Sequence, residues 1–277
     1  MATVLMSAAL AITDPCVVFA LRRESMYLRR RFPIQQRFPG APCHAQFRGS
    51  PPLTVLMLET GLGAAAMETA LRWCLNTPHF GIVPYRPRFV LSAGFSGALQ
   101  PGQHVGDRIL ATEIIDQAGN RWPTHCPDYL GEVAHSRGRL LTVTELVGDP
   151  RTKQYLGERY EAMAVDMETA VVARLCQEYG VPFACLRVIS DDLNTPLSPR
   201  LVELLRWGCV APPRLAWTVL QHPSLIRELW RLAGQTRFAA RQLLAGIRNF
   251  FSDPEPRLPT PEEGRRRNNC GRCPWRP

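Results

Sequence analysis

The chain has 277 residues, of which 45% are hydrophobic and 21% are charged. This composition suffices for one large α/β domain with a short appendage, and it excludes disordered, collagen-like and coiled-coil classes. The net charge of +9 comes mainly from arginines clustered at residues 22–37, 206–248 and 265–267, but no recognised nucleic-acid-binding module accompanies them, so we predict no nucleic-acid partner.

The cysteines indicate a reducing compartment. There are nine, an odd number, and most lie inside apolar runs, as Cys74, Cys176 and Cys185 do. The apolar residues 1–12 lack a leading basic region and are too short for a signal peptide, and no run reaches the ~18 apolar residues of a membrane span. We therefore expect a cytoplasmic chain.

Short apolar runs alternate with helical patterns along most of the sequence. The predicted strands are 16–20, 54–58, 88–94, 105–110, 139–143 and 183–189, and the predicted helices are 24–31, 64–75 and 169–179. Continuous apolar strands separated by helices favour a mostly parallel sheet that is covered on both faces. Ligands of such sheets bind beyond the carboxyl ends of the strands, where this sequence places its polar and Gly-rich clusters.

The character of the sequence changes after Pro196. Residues 214–251 contain six Arg and a single acid, Glu228, and their apolar residues follow helical spacing. This pattern predicts a pair of basic amphipathic helices that is broken near Gly234. From residue 252 onward Pro, Glu, Arg and Asn dominate, which predicts a disordered tail. The predicted organisation is a main domain at 14–205, a helical extension at 206–251 and a tail at 252–277.

Four segments at predicted strand ends contain residues suited to chemistry, and each also has a plain structural explanation. Glu24, in a first helical turn, is often only compensation of the helix dipole. The small residues of 93–99, followed by Val105-Gly106-Asp107, are typical of many α/β turns. The acids of 164–170 could simply begin a helix, and the aspartates of 187–192 could cap one. Each segment alone is ambiguous, and only their order along the chain is specific.

In this order the segments resemble the nucleoside phosphorylase/nucleosidase superfamily, and within it the methylthioadenosine/S-adenosylhomocysteine nucleosidases and the adenosylhopane nucleosidase of hopanoid biosynthesis. The specific parts are Val165-Asp166-Met167-Glu168 and Ile189-Ser190-Asp191, and the resemblance covers roughly residues 14–195. It implies a single-domain, three-layer α/β fold with a mixed, mostly parallel central sheet, followed by C-terminal amphipathic helices. The implied activity is cleavage of the bond between a purine and ribose, which makes 14–205 the catalytic domain.

The resemblance also implies a role for each matching residue. Glu24 corresponds to the acid that activates the attacking water, and Glu168 to the group that grips the ribose 2′- and 3′-hydroxyls. Asp191, supported by Ser190, corresponds to the acid that protonates the departing purine at N7. The apolar strand before Asp191 leads us to expect burial that favours its protonated form. The other implied substrate contacts are Phe95, Ser96 and Gly97 to the base, Met167 to the ribose and Leu62 to the 5′ substituent.

Water is predicted to be the acceptor of the ribose. Phosphorylases of this superfamily hold phosphate with an Arg at the end of the strand before the Gly turn and another in an N-terminal Gly-Asp-Pro-x-Arg loop. Here that strand end is Leu91-Ser92-Ala93, and the loop is missing. Arg22 and Arg23 could replace those arginines, so phosphorolysis stays open as the alternative.

The predicted substrate is a purine nucleoside, and a 5′-substituted adenine nucleoside is preferred although residues 147–152 match the adenine-binding segment poorly. Residues 214–251 leave two alternatives. They lie on the inner face of an anionic membrane, which suits a lipid-linked nucleoside such as adenosylhopane, or they cover the core or an oligomer interface.

For partners, family analogy predicts a homo-oligomer. No cofactor is predicted, and because the six His residues are scattered without ligand spacing, no metal is predicted either. A non-catalytic, membrane-associated module that binds nucleosides is the alternative of another class. The three acids Glu24, Glu168 and Asp191 argue against it, since binding alone does not need them.

Overall fold

The computed structural model describes residues 15–50, 53–76, 79–80, 83–85, 87–125, 136–195 and 224–251. The strands are β1 (Cys16–Phe19), β2 (Ile34–Arg37), β3 (His44–Ser50), β4 (Leu53–Glu59), β5 (His79–Phe80), β6 (Val83–Pro84), β7 (Val90–Ala98), β8 (Arg108–Asp116), β9 (Arg121–Pro123), β10 (Ser136–Thr142), β11 (Ala162–Asp166) and β12 (Phe183–Asp191). The helices are α1 (Met26–Arg31), α2 (Ala64–Asn76), α3 (Pro150–Tyr160), α4 (Thr169–Tyr179) and α5 (Ser224–Phe251).

Ten strands form one mixed sheet in the order β11-β10-β8-β12-β7-β1-β4-β3-β2, with β9 paired to β8. The neighbours β4, β1, β7 and β12 are parallel, so their carboxyl ends meet at one edge of the sheet. An antiparallel pairing of β11 with β7 closes β7, β12, β8, β10 and β11 into a ring. The end of β11 therefore reaches the same edge, because Val165 pairs with Gly97 near the end of β7.

Helices cover both faces of this sheet. The apolar face of α2 and α4 packs on one side, and that of α1 and α5 on the other. The short runs of β1 and β12 are buried almost throughout, as their continuous apolar sequences require in the middle layer. The three-layer α/β fold that the resemblance implied is confirmed.

Several predicted boundaries and one predicted break were wrong. The strand predicted at 88–94 is β7, which continues through the predicted small-residue turn to Ala98. The first helix begins at Met26 and not at Glu24, and β8 begins at Arg108 and not at Val105. Gly106, with φ of +98°, makes the turn before that strand. Instead of two helices broken near Gly234, α5 is one helix of 28 residues. A helical glycine costs only about 1 kcal/mol relative to alanine, which packing of the rest of the helix offsets.

Several elements were not predicted from the sequence, namely β2, β3, β5, β6, β9, β11 and α3. The strand β2 is exposed along its whole length, so its sequence is polar. The helix α3 is also largely polar, and its signal is a cap: the Asp149 carboxylate accepts the Thr152 N–H at 2.8 Å, with Pro150 in the first turn. Hydrophobic periodicity does not detect such a helix.

The second half of α5 belongs to the core. Its apolar face is buried against β7, β8 and β12 through Ala239, Ala240, Leu243, Ile247 and Phe250. This packing supports the core-covering alternative for the C-terminal extension. The rest of that extension, 206–223, and the predicted tail, 252–277, lie outside the described residues. No helix in the described ranges has the length and apolar character needed to cross a bilayer.

Candidate active site

The carboxyl ends of β1, β7, β11 and β12 surround a cavity of about 830 Å³, a size typical of small-molecule sites. All nine site residues predicted from the sequence line it: Glu24, Leu62, Phe95, Ser96, Gly97, Met167, Glu168, Ser190 and Asp191. The side chain on which the prediction depends, Asp191, therefore faces the same space as Glu24 and Glu168. The structure brings these residues together, and the roles assigned to them stay predictions.

Glu24 lies in the turn between β1 and α1 and is only 5% exposed. Its Oε2 accepts the backbone N–H of Leu21 at 2.7 Å, and its Oε1 accepts that of Phe95 at 2.8 Å. Burial raises the pKa of Glu24, while the charge of Arg187 and the backbone donors oppose that shift. The carboxyl group is thus fixed in orientation and suited to exchange a proton closer to neutral pH.

Arg187 and Asp166 form a buried ion pair close to Glu24, and the sequence did not predict it. Arg187 on β12 donates from Nη2 to Asp166 Oδ2 at 2.6 Å, and both side chains are almost fully buried. Asp166 Oδ1 also accepts the Thr142 hydroxyl at 2.7 Å. Although burial acts in the opposite direction, Asp166 and its neighbours hold the pKa of Arg187 above its usual range. The site therefore contains a permanent positive charge that offsets its carboxylates.

Gly94 makes room for this arrangement. A Cβ at this position would overlap Arg187 Nη1 and would lie 2.6 Å from Glu24 Oε1. Only a residue without a side chain lets the acid on one side of β7 and the guanidinium of β12 approach each other. The sequence pattern placed this glycine in a turn of small residues, whereas in the structure it lies within β7 and makes room for two protein side chains.

Glu168 follows β11 and precedes α4. Its Oε1 accepts the N–H of Gly63 at 2.9 Å, which joins it to the loop after β4. Burial, with the nearby Asp166 carboxylate, raises the pKa of Glu168 to about 7. The neighbouring Met167 side chain is half-buried in the cavity wall. This pair has the apolar surface and the paired oxygens that a sugar diol requires.

Asp191 ends β12 opposite Gly97, where a Cβ would lie 3.0 Å from Asp191 Oδ2. Its Oδ1 accepts the Ser190 hydroxyl at 2.8 Å. Its Oδ2 forms an ion pair with Nζ of Lys153 at 2.5 Å. The expectation of apolar surroundings for Asp191 is thus corrected, because the buried side chain of Lys153 ends beside its carboxylate.

Lys153 comes from α3, a helix that the sequence pattern did not predict. Leu156, which lies one turn further along this helix, packs in an apolar cluster with Leu99 and Val165 and so attaches α3 to the sheet. One signal in the sequence points to this residue: of the 33 basic residues, 32 are arginine, and Lys153 is the one lysine.

The hydroxyl of Ser96 is a further polar group at the predicted position of the base. Ser96 is 4% exposed, and its Oγ is buried without a hydrogen-bond partner among the described residues. Phe95, beside it, offers a half-buried ring to the cavity. A buried hydroxyl without a partner is costly, so a ligand atom that completes its bonding would be favoured.

The remaining lining is largely apolar and includes Leu62, Val143, Leu146, Val147, Leu232 and Ala233. Leu62 is 38% exposed and marks the opening. Leu232 and Ala233 belong to α5, so the C-terminal helix forms part of the cavity wall, which the sequence did not predict. The exposed arginines Arg23 and Arg237 also line the cavity.

A family model described as "Phosphorylase superfamily" matches residues 51–204, which is more than half of the chain. The chain belongs to the Phosphorylase superfamily. Glu24 precedes the matched range, so its place in the site rests on the geometry described above.

Among curated relatives, the chain is 24% identical over 203 residues to a 5′-methylthioadenosine/S-adenosylhomocysteine nucleosidase of Geobacillus thermodenitrificans, covering 63% of this chain and 82% of that protein. The enzyme of the same name from Geobacillus kaustophilus is 25% identical over 201 residues, covering 63% and 83%.

Solved structures share the fold. The 5′-methylthioadenosine/S-adenosylhomocysteine nucleosidase of Helicobacter pylori superimposes with a TM-score of 0.61 at 16% identity, covering 87% of this chain and all of that one. Futalosine hydrolase of the same organism gives a TM-score of 0.61 at 15% identity, covering 86% and 98%.

In this member of the Phosphorylase superfamily, Arg22 and Arg23, the two arginines that could replace the phosphate ligands, are both exposed, and Arg23 lines the cavity. Arg22, with a 64% exposed side chain, lies 3.7 Å from Glu59, and Arg29 lies 3.2 Å from the same carboxylate. Arg187 is held by Asp166. Within the described ranges, no group of three or more His, Cys, Asp or Glu side chains is arranged to hold a metal ion.

Proposed function

We propose that the protein hydrolyses the N-glycosidic bond of a purine nucleoside and releases the free base. The observation that carries this proposal is the convergence of Glu24, Glu168 and Asp191, from three distant strand ends, on one cavity. The superfamily match and the nucleosidase names of its relatives support the same reaction class. The protein is thus an N-ribosyl hydrolase of the Phosphorylase superfamily.

Each acid has a distinct task in this reaction. Breaking the bond builds positive charge on ribose and negative charge on the purine. Asp191 protonates the purine at N7, a contribution of general acid catalysis typically worth ~100- to 10,000-fold in rate. Glu168 orients the sugar through its hydroxyls. Glu24, fixed by two backbone N–H groups, takes a proton from the water that adds to the anomeric carbon.

Water suits this site better than phosphate. The acceptor must approach Glu24, which burial and the N–H donors hold in place, and a carboxylate there repels a phosphate dianion. Phosphate would also require guanidinium groups with free donor edges. Arg187 is held by Asp166, and Arg22 lies 3.7 Å from Glu59, so phosphate binding would depend on Arg23, which lines the cavity. Phosphorolysis remains the alternative reaction, and it predicts that free base appears only when phosphate is added.

The cavity favours an apolar 5′ substituent. Beyond the ribose-binding pair, the apolar part of the wall is made of Leu62, Leu146, Val147 and Leu232. The charged residues Arg23, Glu145 and Arg237 also line the cavity. A 5′-alkylthio group or a lipid-linked group, such as that of adenosylhopane, fits this lining. Adenine is the preferred base. The membrane contact and the homo-oligomer stay predictions, and the burial of Leu243, Ile247 and Phe250 supports a packing role for that part of α5.

A nucleoside screen tests the proposal. The protein is incubated with methylthioadenosine, S-adenosylhomocysteine, adenosylhopane, adenosine and inosine, each with and without phosphate, and free base is measured. We expect base release without phosphate, fastest from a nucleoside with an apolar 5′ group. Release of no base from any of them overturns the enzymatic proposal and leaves a binding module.

A further inference from the structure

Lys153 is a buried ammonium group in direct contact with the acid that serves the leaving base. Its side chain has no exposed surface, whereas that of Asp191 is 15% exposed. Nζ donates to Asp191 Oδ2 at 2.5 Å and to the backbone carbonyl of Asp192 at 2.9 Å. Both hydrogen bonds hold it against the end of β12, so its position is tied to that of the acid.

Helix stability does not explain a lysine here. It lies in the first turn of α3, where the helix dipole disfavours a positive charge, and Asp149 already caps the helix. Burial of an ammonium group is also costly. Every other basic residue of the chain is an arginine. The single lysine thus stands where a cation is unfavourable for the fold and adjacent to the reacting proton.

Lysine differs from arginine in one property that matters at this position. A guanidinium group stays protonated in proteins, whereas a buried ammonium group can release a proton. We infer, on the basis of the proposed function, that Lys153 is a positioning residue that acts through Asp191 and supplies the proton that Asp191 passes to N7 of the leaving purine. Asp191 is then the relay between Lys153 and the base.

The proton balance of this step closes. As the bond between C1′ and N9 breaks, its electron pair goes to the purine. Lys153 protonates Asp191, Asp191 protonates N7, and Lys153 is left as a neutral amine. Water adds to C1′ and gives its second proton to Glu24. After the base departs, Asp191, which faces the cavity, passes a solvent proton back to the buried Lys153, and Glu24 releases its proton.

Gly157 sets the distance across which this transfer runs. A Cβ on Gly157 would overlap the backbone carbonyl oxygen of Leu99 at the end of β7, so α3 can approach that strand only because this position is a glycine. One turn earlier, Lys153 is thereby brought to Asp191. The close contact is part of the helix packing and does not depend on a flexible loop.

The test compares Lys153→Met and Lys153→Arg with the wild-type chain on the nucleoside that the screen finds to be cleaved fastest, and on its 2-fluoroadenine counterpart. Fluorine keeps the shape of the base but makes it leave more easily without a proton. Gln154→Met is the matched control, because Gln154 is the exposed neighbour of Lys153 on α3. We measure kcat and KM for each pair.

We expect both Lys153 variants to lose ~100-fold or more in kcat on the adenine substrate, with KM nearly unchanged, and to lose much less on the fluorinated one. Gln154→Met should match the wild type. Recovery of kcat by Lys153→Arg would show that a fixed charge suffices and overturns the inference. The inference is also overturned if both variants keep the wild-type kcat, or if they lose kcat equally on the two substrates. A wild-type chain that cleaves no nucleoside overturns the proposed function itself.

A measurement on the wild-type chain tests the inference even if the Lys153 variants fail to fold. Lysine labelled with ¹⁵N at Nζ gives one side-chain signal, because the chain has one lysine. The number of protons on that nitrogen is read from its coupling pattern at the pH of the assay. We expect an ammonium group in the resting protein. A neutral amine there has no proton to supply and overturns the inference.

Discussion

The two ends of the cavity hold their acids in different surroundings. Glu24 accepts hydrogen bonds from two backbone N–H groups, which fix the carboxylate and do not release protons under working conditions. Asp191 is bound by two side chains, Lys153 and Ser190, which can exchange protons. A carboxylate of the first kind is suited to accept a proton from water, and one of the second kind to relay a proton to the base. In the proposed reaction, the base and the acid thus differ in the groups that donate hydrogen bonds to them.

The largest effects are expected when the acid at either end of the cavity, Glu24 or Asp191, is replaced by its amide. We expect Glu24→Gln and Asp191→Asn each to lower kcat by ~1,000-fold or more on an adenine nucleoside. In the Glu24→Gln variant the new amide nitrogen cannot accept an N–H, so one backbone donor is also left without a partner. The Asp191→Asn variant places an amide beside the Lys153 ammonium group and removes the proton relay.

The leaving group distinguishes the two variants. With the 2-fluoroadenine substrate, Asp191→Asn should recover much of the lost rate, whereas Glu24→Gln should not, since water must be activated in both cases. Substrate binding, measured by calorimetry, should persist in both proteins. Equal recovery in the two variants would contradict the division of roles, and a parallel loss of binding and turnover would favour the non-catalytic alternative.

Two glycines of β7 offer a matched pair of smaller effects. Gly94→Ala places a Cβ against Arg187 and Glu24, both buried and held, so we expect a loss of about 1–3 kcal/mol in unfolding free energy and a large loss of kcat. Gly97→Ala meets Asp191 Oδ2 at 3.0 Å and Val165 Cγ1 at 3.3 Å, which can yield more readily. Thermal unfolding and kinetics of both variants check the order. A Gly97→Ala variant less stable than Gly94→Ala would contradict it.

The sequence predicted the acids but not their partners. Glu24, Glu168 and Asp191 follow apolar strands or begin helices, so periodicity and motif order place them at one edge of a sheet. Their partners come from tertiary packing. Lys153 lies 38 residues from Asp191 on a polar helix, and the ion pair of Arg187 with Asp166 joins two strands that are not neighbours in the sheet.

The C-terminal helix also shows that the sequence does not predict tertiary packing. Its amphipathic pattern correctly predicts a helix, but a stripe of apolar residues fits a membrane surface and a protein core equally well. Only the folded structure distinguishes them, because burial of Ala239 and Leu243 depends on what the sheet presents to the helix. The continuity of the helix through Gly234 likewise depends on packing on either side of that residue.

The third prediction concerns how the free energy of unfolding depends on pH through Glu168, the acid between Glu24 and Asp191. Because Glu168 has a pKa of about 7 in the folded protein against 4.5 for a free Glu, the unfolded chain releases its proton first as pH rises. This group therefore stabilises the fold below about pH 4.5, and that stability, at most about 3 kcal/mol, is lost as pH rises to about 7.

Glu168→Gln tests this dependence, since it keeps the shape and does not titrate. Unfolding in urea between about pH 4.5 and 7 should give a flatter stability profile than in the wild type. Glu24, whose pKa burial also raises, contributes a slope of the same sign in both proteins. Identical profiles for the two proteins would contradict the prediction.

The smallest expected effect concerns Ser96, which lies at the predicted position of the base and distinguishes binding of the base from its protonation. Its buried Oγ has no partner in the described part of the chain, so removal of the hydroxyl should leave the free protein as stable or about 1 kcal/mol more stable. If the hydroxyl bonds to the purine, Ser96→Ala should raise KM by up to about tenfold and leave kcat nearly unchanged, which separates binding of the base from proton transfer to it. Steady-state kinetics and thermal unfolding measure the two consequences on one sample. A variant that loses kcat instead would place Ser96 with the acid at Asp191 and not with the binding surface.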